Sequence, residues 1–352
     1  MANNSRTGNE DVLVTRTGGL GHLVLNRPRT MNALTHGMIA AVAATLDDWE
    51  NDDGVTTVAI SGAGERGLCA GGDIVEIYHD ARTGGSASTA FWRDEYLLNA
   101  RIARYPKPVV TLMDGVVLGG GVGISAHASV RVVTERSRVG MPETGIGFVP
   151  DVGGTFLLSR APGELGTHAA LTAAMVTGAD AIAMGLADHY VDSAQLPALV
   201  GELAERPAAA VVGRYGQTAP PSPLAGQRDW IDAAYAGDDA TAILARLRAV
   251  GTPEADAAAR AIAGKSPTAV TVTLAALRRA AVLGSLEDVL NQEYRVSVRA
   301  LRWPDFAEGI RAQLVDKDRA PVWAPAALAD VPAARVTESF APLGDGELGL
   351  QG

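Results

Sequence analysis

The feature that most limits how this chain can fold is a pair of short apolar runs, each ending in clustered glycines. "VTTVAISGAG" (55–64) leads into "CAGGDI" (69–74), and "KPVVTLMDGVVLGGGVGISAHAS" (107–129) carries three consecutive glycines. Apolar runs of this length bounded by turn residues read as buried strands. Glycine there lets the backbone turn sharply and approach a neighbour or a ligand closely. The flanking sequence keeps the alternation going. "DVLVTRTGGLGHLVLNRP" (11–28) predicts two strands around a glycine turn, and "VRVVTERSRVGMPE" (130–143) two more. "MIAAVAATLDDWEND" (38–52) has helical period with Thr35 placed as a cap, and a charged helix is expected over about 88–104.

From about residue 160 the character changes. Alanine-rich, helix-compatible segments follow at 163–175, 179–187, 229–236, 239–250, 253–263, 267–283 and 285–302. The span 205–225, rich in proline and glycine, reads as a connector. A β/α part over 11–205 and a mostly helical part over 206–346 are therefore expected, with 1–10 and 347–352 as loose ends.

Charge and cysteine content narrow the function. Forty acidic against thirty basic residues give a formal charge of −10, which argues against a nucleic-acid partner. One cysteine, Cys69, excludes a disulfide framework and a cysteine-based metal cluster. The first twelve residues are polar without an apolar signal core, and no run is long enough for a membrane span. These features predict a soluble cytoplasmic protein.

Chemistry is suggested by "VGMPETGIGFVPDVGG" (139–154), where Glu143 and Asp151 stand eight residues apart. Pro142, Gly145, Gly147 and Pro150 forbid one regular helix between them. A carboxylate in so apolar a stretch is costly to bury without a role. The alternatives are structural: Glu143 as a cap and Asp151 as a turn former. The two glycine loops can each turn an amide toward a developing oxyanion, and the second also opens a helix, whose N-terminus favours negative charge. Tight turns are the plainer reading of either loop alone. "GVGISA" (121–126) fits a dinucleotide fingerprint, but lies past residue 100 and not at a first strand. Ser125 is not in a nucleophile elbow, the histidines form no ligand spacing, and Cys69 reads as a packed residue before a nucleophile. Two amide-bearing loops and two carboxylates suit a thioester, whose thiolate leaves easily because a thiol has a pKa of about 8.5.

These residues resemble the crotonase (enoyl-CoA hydratase/isomerase) superfamily. "LNRPRTMNAL" (25–34), "LCAGGDI" (68–74) and "DGVVLGGGVGIS" (114–125) are similar to its acyl-CoA-binding signatures. "RDEYLLN" (93–99), "MPETGIGFVPDVGGTFLLSR" (141–160) and "DFAEGIRAQLVDKDRAPVW" (305–323) resemble its 3-hydroxyisobutyryl-CoA hydrolase branch. The resemblance implies an α/β crotonase-like fold of stacked β-β-α turns with a helical C-terminal region. It implies hydrolysis of a short branched 3-hydroxyacyl-CoA in valine catabolism, with coenzyme A as part of the substrate and no cofactor or metal. Membrane and nucleic-acid partners are not expected; the resemblance leaves the homo-oligomer open, a trimer if the chain follows its family, or none if the long C-terminal half replaces a neighbour's helices. Carried over, the amides of Gly72 and Gly120 form the oxyanion hole and Glu143 is the catalytic carboxylate. Asp151 holds the substrate hydroxyl or assists water, and Glu95 lines the acyl pocket unless it is only a solvated helix residue. A hydratase of this family places a second glutamate within the glycine loop, where this chain has Gly123. Arg27, Arg29 and Lys107 are candidates for the CoA phosphates.

Overall fold

The computed structural model describes residues 10–352. They form two compact units interleaved along the chain. The first holds the residues up to Gly72, Leu97–Val139 and Val176–Ser222; the second holds Asp73–Tyr96, Gly140–Met175 and Pro223–Gly352.

The strands are β1 (Val12–Thr17), β2 (Leu20–Leu25), β3 (Thr57–Gly62), β4 (Gly67–Cys69), β5 (Val109–Met113), β6 (Val116–Leu118), β7 (Val130–Val133), β8 (Arg138–Gly140), β9 (Met175–Thr177) and β10 (His189–Tyr190). One sheet runs β1-β2-β3-β5-β7-β10 and the other β4-β6-β8-β9. In the larger sheet β1 and β2 are antiparallel and the other pairings parallel. The β1–β2 turn needs glycine at its first central position, where Gly18 has φ +54° and an added Cβ would lie 2.3 Å from the Ala204 carbonyl oxygen. β5 is buried at every residue, as a central parallel strand with both faces covered should be. Leu20, Ala59, Val110, Leu112 and Val132 form one sheet face, covered by Leu199, Leu203, Val211 and Val212.

Those last two valines correct the reading of 205–225 as a plain connector, since helix Ala208–Tyr215 lies within it. Pro207 occupies the N-cap with φ −57°, where its missing N–H costs nothing, so it starts this helix. β9 and β10 also fall where only helices were expected. With three and two residues they are too short to show a period, and β10 exists through its parallel pairing with Val132 and Val133 of β7.

The helices of the second unit include Arg228–Tyr235, Ala240–Val250, Pro253–Ala263, Pro267–Ala280, Leu286–Ala300 and Pro304–Ile310. Most start at caps visible in the sequence. Thr252, Ser266 and Ser285 each accept from the amide three residues on, the first two with proline following. The C-terminal end, expected to be loose, is tied down. The Arg93 guanidinium donates to the carbonyls of Gly346, Glu347 and Leu348 at 3.1, 2.7 and 3.2 Å. Asn291 and Leu350 exchange two more bonds at 2.9 and 3.1 Å. Of the expected loose N-terminus, 1–9 lie outside the described residues. Among the described residues no helix is long and apolar enough to cross a membrane.

Candidate active site

The glycine loops belong to the first unit. The Leu34 N–H donates to the Gly71 carbonyl at 2.8 Å, beside Gly72 in the first loop. Gly120 begins the helix Gly120–Ser125, and Gly119 before it has φ +50°. The loops are in contact: a Cβ on Gly121 would lie 2.5 Å from the Cys69 carbonyl oxygen, and one on Gly71, 3.7 Å from the Gly120 nitrogen. At Gly121 only glycine permits that approach, and at Gly71 it is the φ of +102° that favours glycine. Among the described residues neither the Gly72 nor the Gly120 amide donates to a backbone carbonyl outside regular elements. Gly120, as the first helical residue, has no intrahelical acceptor either. Cys69 is fully buried with its Sγ accepting from the Gly71 amide at 3.4 Å, so it packs the loop and matches the plainer reading. The Ser125 hydroxyl donates to the Gly121 carbonyl at 2.6 Å and is equally engaged.

The carboxylates belong to the second unit. Glu143 opens a single 3-10 turn, Glu143–Ile146, closed by Gly147 at φ +72°. Asp151 sits in a second turn, where the Gly154 amide donates to the Asp151 carbonyl at 2.6 Å and Val152 and Gly153 take φ +53° and +79°. Glu95 comes from the helix Ala87–Ala103, whose residues up to Tyr96 lie in this unit. Glu95, Glu143 and Asp151 are all at most 6% exposed, so none is a solvated surface acid. The Tyr96 hydroxyl donates to Asp151 Oδ2 at 2.7 Å, and the Ser297 hydroxyl lies 2.8 Å from the same tyrosine oxygen. Among the described residues Glu95 Oε1 and Glu143 Oε2 have no hydrogen-bond partner. Trp92 stacks on Phe148 at 5.3 Å, and Phe148 meets Phe306 at 4.9 Å, forming an apolar cluster in the same unit.

Burial of several acids together governs their protonation. Desolvation, then the charge of Asp151, raises both Glu95 and Glu143 well above the usual carboxylate range. Desolvation pushes Asp151 up to about 7, against the Tyr96 hydrogen bond, which pulls it down. An elevated carboxylate is matched to proton transfer near neutral pH, and an orphaned buried oxygen is a group awaiting a partner.

Three participants were missed by sequence reasoning: Tyr96, Ser297 and a fourth acid, Glu293, which is 1% exposed. The signal was available. On helix Leu286–Ala300 the buried stripe runs Leu286, Val289, Leu290, Glu293, Val296, Ser297 and Ala300, placing an acid where the period calls for an apolar residue. Of the basic candidates, Lys107 donates to the carbonyls of Trp49 and Asp52, and Arg27 to that of Ala33. Arg29 is exposed.

The chain is similar to known proteins over nearly its whole length. The chain is 38% identical to the mitochondrial 3-hydroxyisobutyryl-CoA hydrolase of Gallus gallus, across 97% of this chain and 91% of that protein. It is 39% identical to the Rattus norvegicus protein of the same name, across 97% and 91%. Among solved structures, a carnitinyl-CoA dehydratase from Mycobacterium thermoresistibile is 56% identical with TM-score 0.94, covering 98% of this chain and 100% of that one. An enoyl-CoA hydratase from Rhodobacter sphaeroides is 42% identical with TM-score 0.92, covering 97% and 100%. The α/β crotonase fold expected from the sequence is the fold found. The curated relatives are mitochondrial by name, which overturns the expectation of a cytoplasmic protein. An apolar core marks secretory leaders, whereas mitochondrial leaders are amphipathic and Arg-rich, so the polar composition of the first residues does not bear on that compartment. The enoyl-CoA hydratase/isomerase profile matches residues 20–340, and the chain belongs to that family.

Proposed function

We propose that this chain is an acyl-CoA thioester hydrolase that converts 3-hydroxyisobutyryl-CoA and water to 3-hydroxyisobutyrate and CoA, as a step of valine breakdown. The observation that carries the reading is the pairing of an orphaned Glu143 oxygen with a glycine at position 123. One carboxylate serves the reaction and no second acid stands in the glycine loop. The names of the curated relatives support the same substrate.

In this reading the amides of Gly72 and Gly120 receive the carbonyl oxygen as it gains charge. Glu143 takes a proton from the attacking water, or attacks the carbonyl carbon itself to give an anhydride that water then opens. In either route a carbon–oxygen bond forms, the carbon–sulfur bond breaks, and the electron pair leaves with sulfur. The thiolate needs little acid assistance. Asp151 accepts from the substrate's 3-hydroxyl, and Glu95 lines the acyl pocket.

The names of the similar solved structures favour a second reading, addition or removal of water at a carbon–carbon double bond. That chemistry wants a second acid–base group, and Gly123 supplies none. Hydration of crotonyl-CoA, followed by loss of enoyl absorbance, is expected to be slower than thiol release from 3-hydroxyisobutyryl-CoA at equal enzyme. Faster hydration than hydrolysis would replace the first reading by the second.

A further inference from the structure

Asp151 lies in a turn whose backbone is not at ease. Val152 is β-branched yet takes φ +53°, a conformation such residues rarely adopt unless the surroundings impose it. The residues that follow it are bound by Glu293, reached from a helix more than a hundred residues further along the chain. Glu293 Oε2 accepts from the Gly153 amide at 2.6 Å; Glu293 Oε1 accepts from the Thr155 amide at 2.8 Å and the Thr155 hydroxyl at 2.5 Å. Three donors converge on one carboxyl group, and their hydrogen bonds pull its pKa down against burial, which pushes it up to about 8. That arrangement suits a carboxylate and not an amide, because glutamine must turn its NH2 toward one of the donors.

The same helix holds Asp151 from its other side. Ser297 stands one turn beyond Glu293, hence on the same helix face, and its hydroxyl meets the Tyr96 hydroxyl that donates to Asp151. Tyr294, between them in sequence, packs edge-on against Tyr96 at 6.0 Å. Helix Leu286–Ala300 thus fixes both the backbone that carries Asp151 and the phenol that orients its side chain.

We infer that Glu293 is a positioning residue for the hydrolysis: it holds the 151–155 turn so that Asp151 meets the substrate's hydroxyl, without touching substrate itself. The inference rests on the recognition role proposed for Asp151. Nothing is asked of Glu293 chemically; it acts through the turn.

The test compares kcat/KM on 3-hydroxyisobutyryl-CoA and isobutyryl-CoA for wild type, Glu293→Gln, Asp151→Ala and the double variant. Glu293→Gln is expected to lower the ratio of the two roughly tenfold, the size of one charge-assisted hydrogen bond. Its loss is expected not to multiply with that of Asp151→Ala, since both act at one place. Amide exchange at Gly153 and Thr155 is expected to speed up, with helix Pro267–Ala280 unchanged. Thr155→Val, which removes one donor only, is expected to move the ratio the same way by less, and carries the test where Glu293→Gln does not fold. A preserved ratio in a folded Glu293→Gln, or fully multiplying losses, overturns the inference while leaving the proposed activity standing. If Asp151→Ala itself treats the two substrates alike, the recognition role fails and this inference with it.

Discussion

Replacing Glu143 with alanine is expected to lower kcat by at least about 10²-fold, the low end for a positioned acid–base group, while KM changes little. Glu143 is the acid whose buried Oε2 has no partner in the described structure, held on a turn by Pro142 before it and Gly147 after it. Among the described residues its side chain makes no ion pair and no hydrogen bond to another residue, so its removal should be felt in chemistry more than in folding. Stability gives an independent check. Burial and the charge of Asp151 raise the Glu143 carboxyl well above its ordinary range. The folded state therefore holds a proton that the unfolded chain releases, and the stability this proton confers at low pH is lost as pH rises toward the folded value. Glu143→Gln removes that loss. The variant is expected to unfold at higher temperature than wild type at pH 8, with the difference shrinking toward pH 4. Near-native kcat in Glu143→Ala would remove Glu143 from the mechanism.

Replacing Asp151 with alanine is expected to separate two substrates that differ by one hydroxyl. A charge-assisted hydrogen bond is worth roughly 1.5–3 kcal/mol, so kcat/KM on 3-hydroxyisobutyryl-CoA should fall about ten- to a hundredfold. Isobutyryl-CoA has no such bond to lose and should be much less affected. It stands to improve, because in wild type that substrate leaves Asp151 buried beside an apolar group. Misfolding would depress both substrates alike, so the comparison cancels general damage. Equal losses would assign Asp151 to the water or the leaving group and not to recognition.

Much of this arrangement is legible in the amino-acid sequence alone, and the part that is not has a physical reason. Short-range signals carry well: the Gly18 turn, the Thr35 cap accepting from Met38 at 3.2 Å, and the paired serine and proline at the start of helix Pro267–Ala280. Each is decided by a few neighbouring residues. The strands β9 and β10 are not legible because two or three residues become a strand only through a partner. Helix Ala208–Tyr215 is hidden by the composition around it, although Val211 and Val212 give it a buried face. In the site, Glu143 and Asp151 stand out because proline and glycine isolate them in one stretch. Glu293 does not, since its partners Gly153 and Thr155 lie far from it in sequence. An acid on an apolar helical stripe is the one local sign of it.

The proposed hydrolysis is tested most directly by thiol release from 3-hydroxyisobutyryl-CoA by the purified wild-type protein, with the acid product measured in parallel and no metal or nucleotide added. Free CoA and 3-hydroxyisobutyrate are expected to appear one for one, over many turnovers. Intact thioester after long incubation with enzyme at substrate concentration would contradict the assignment.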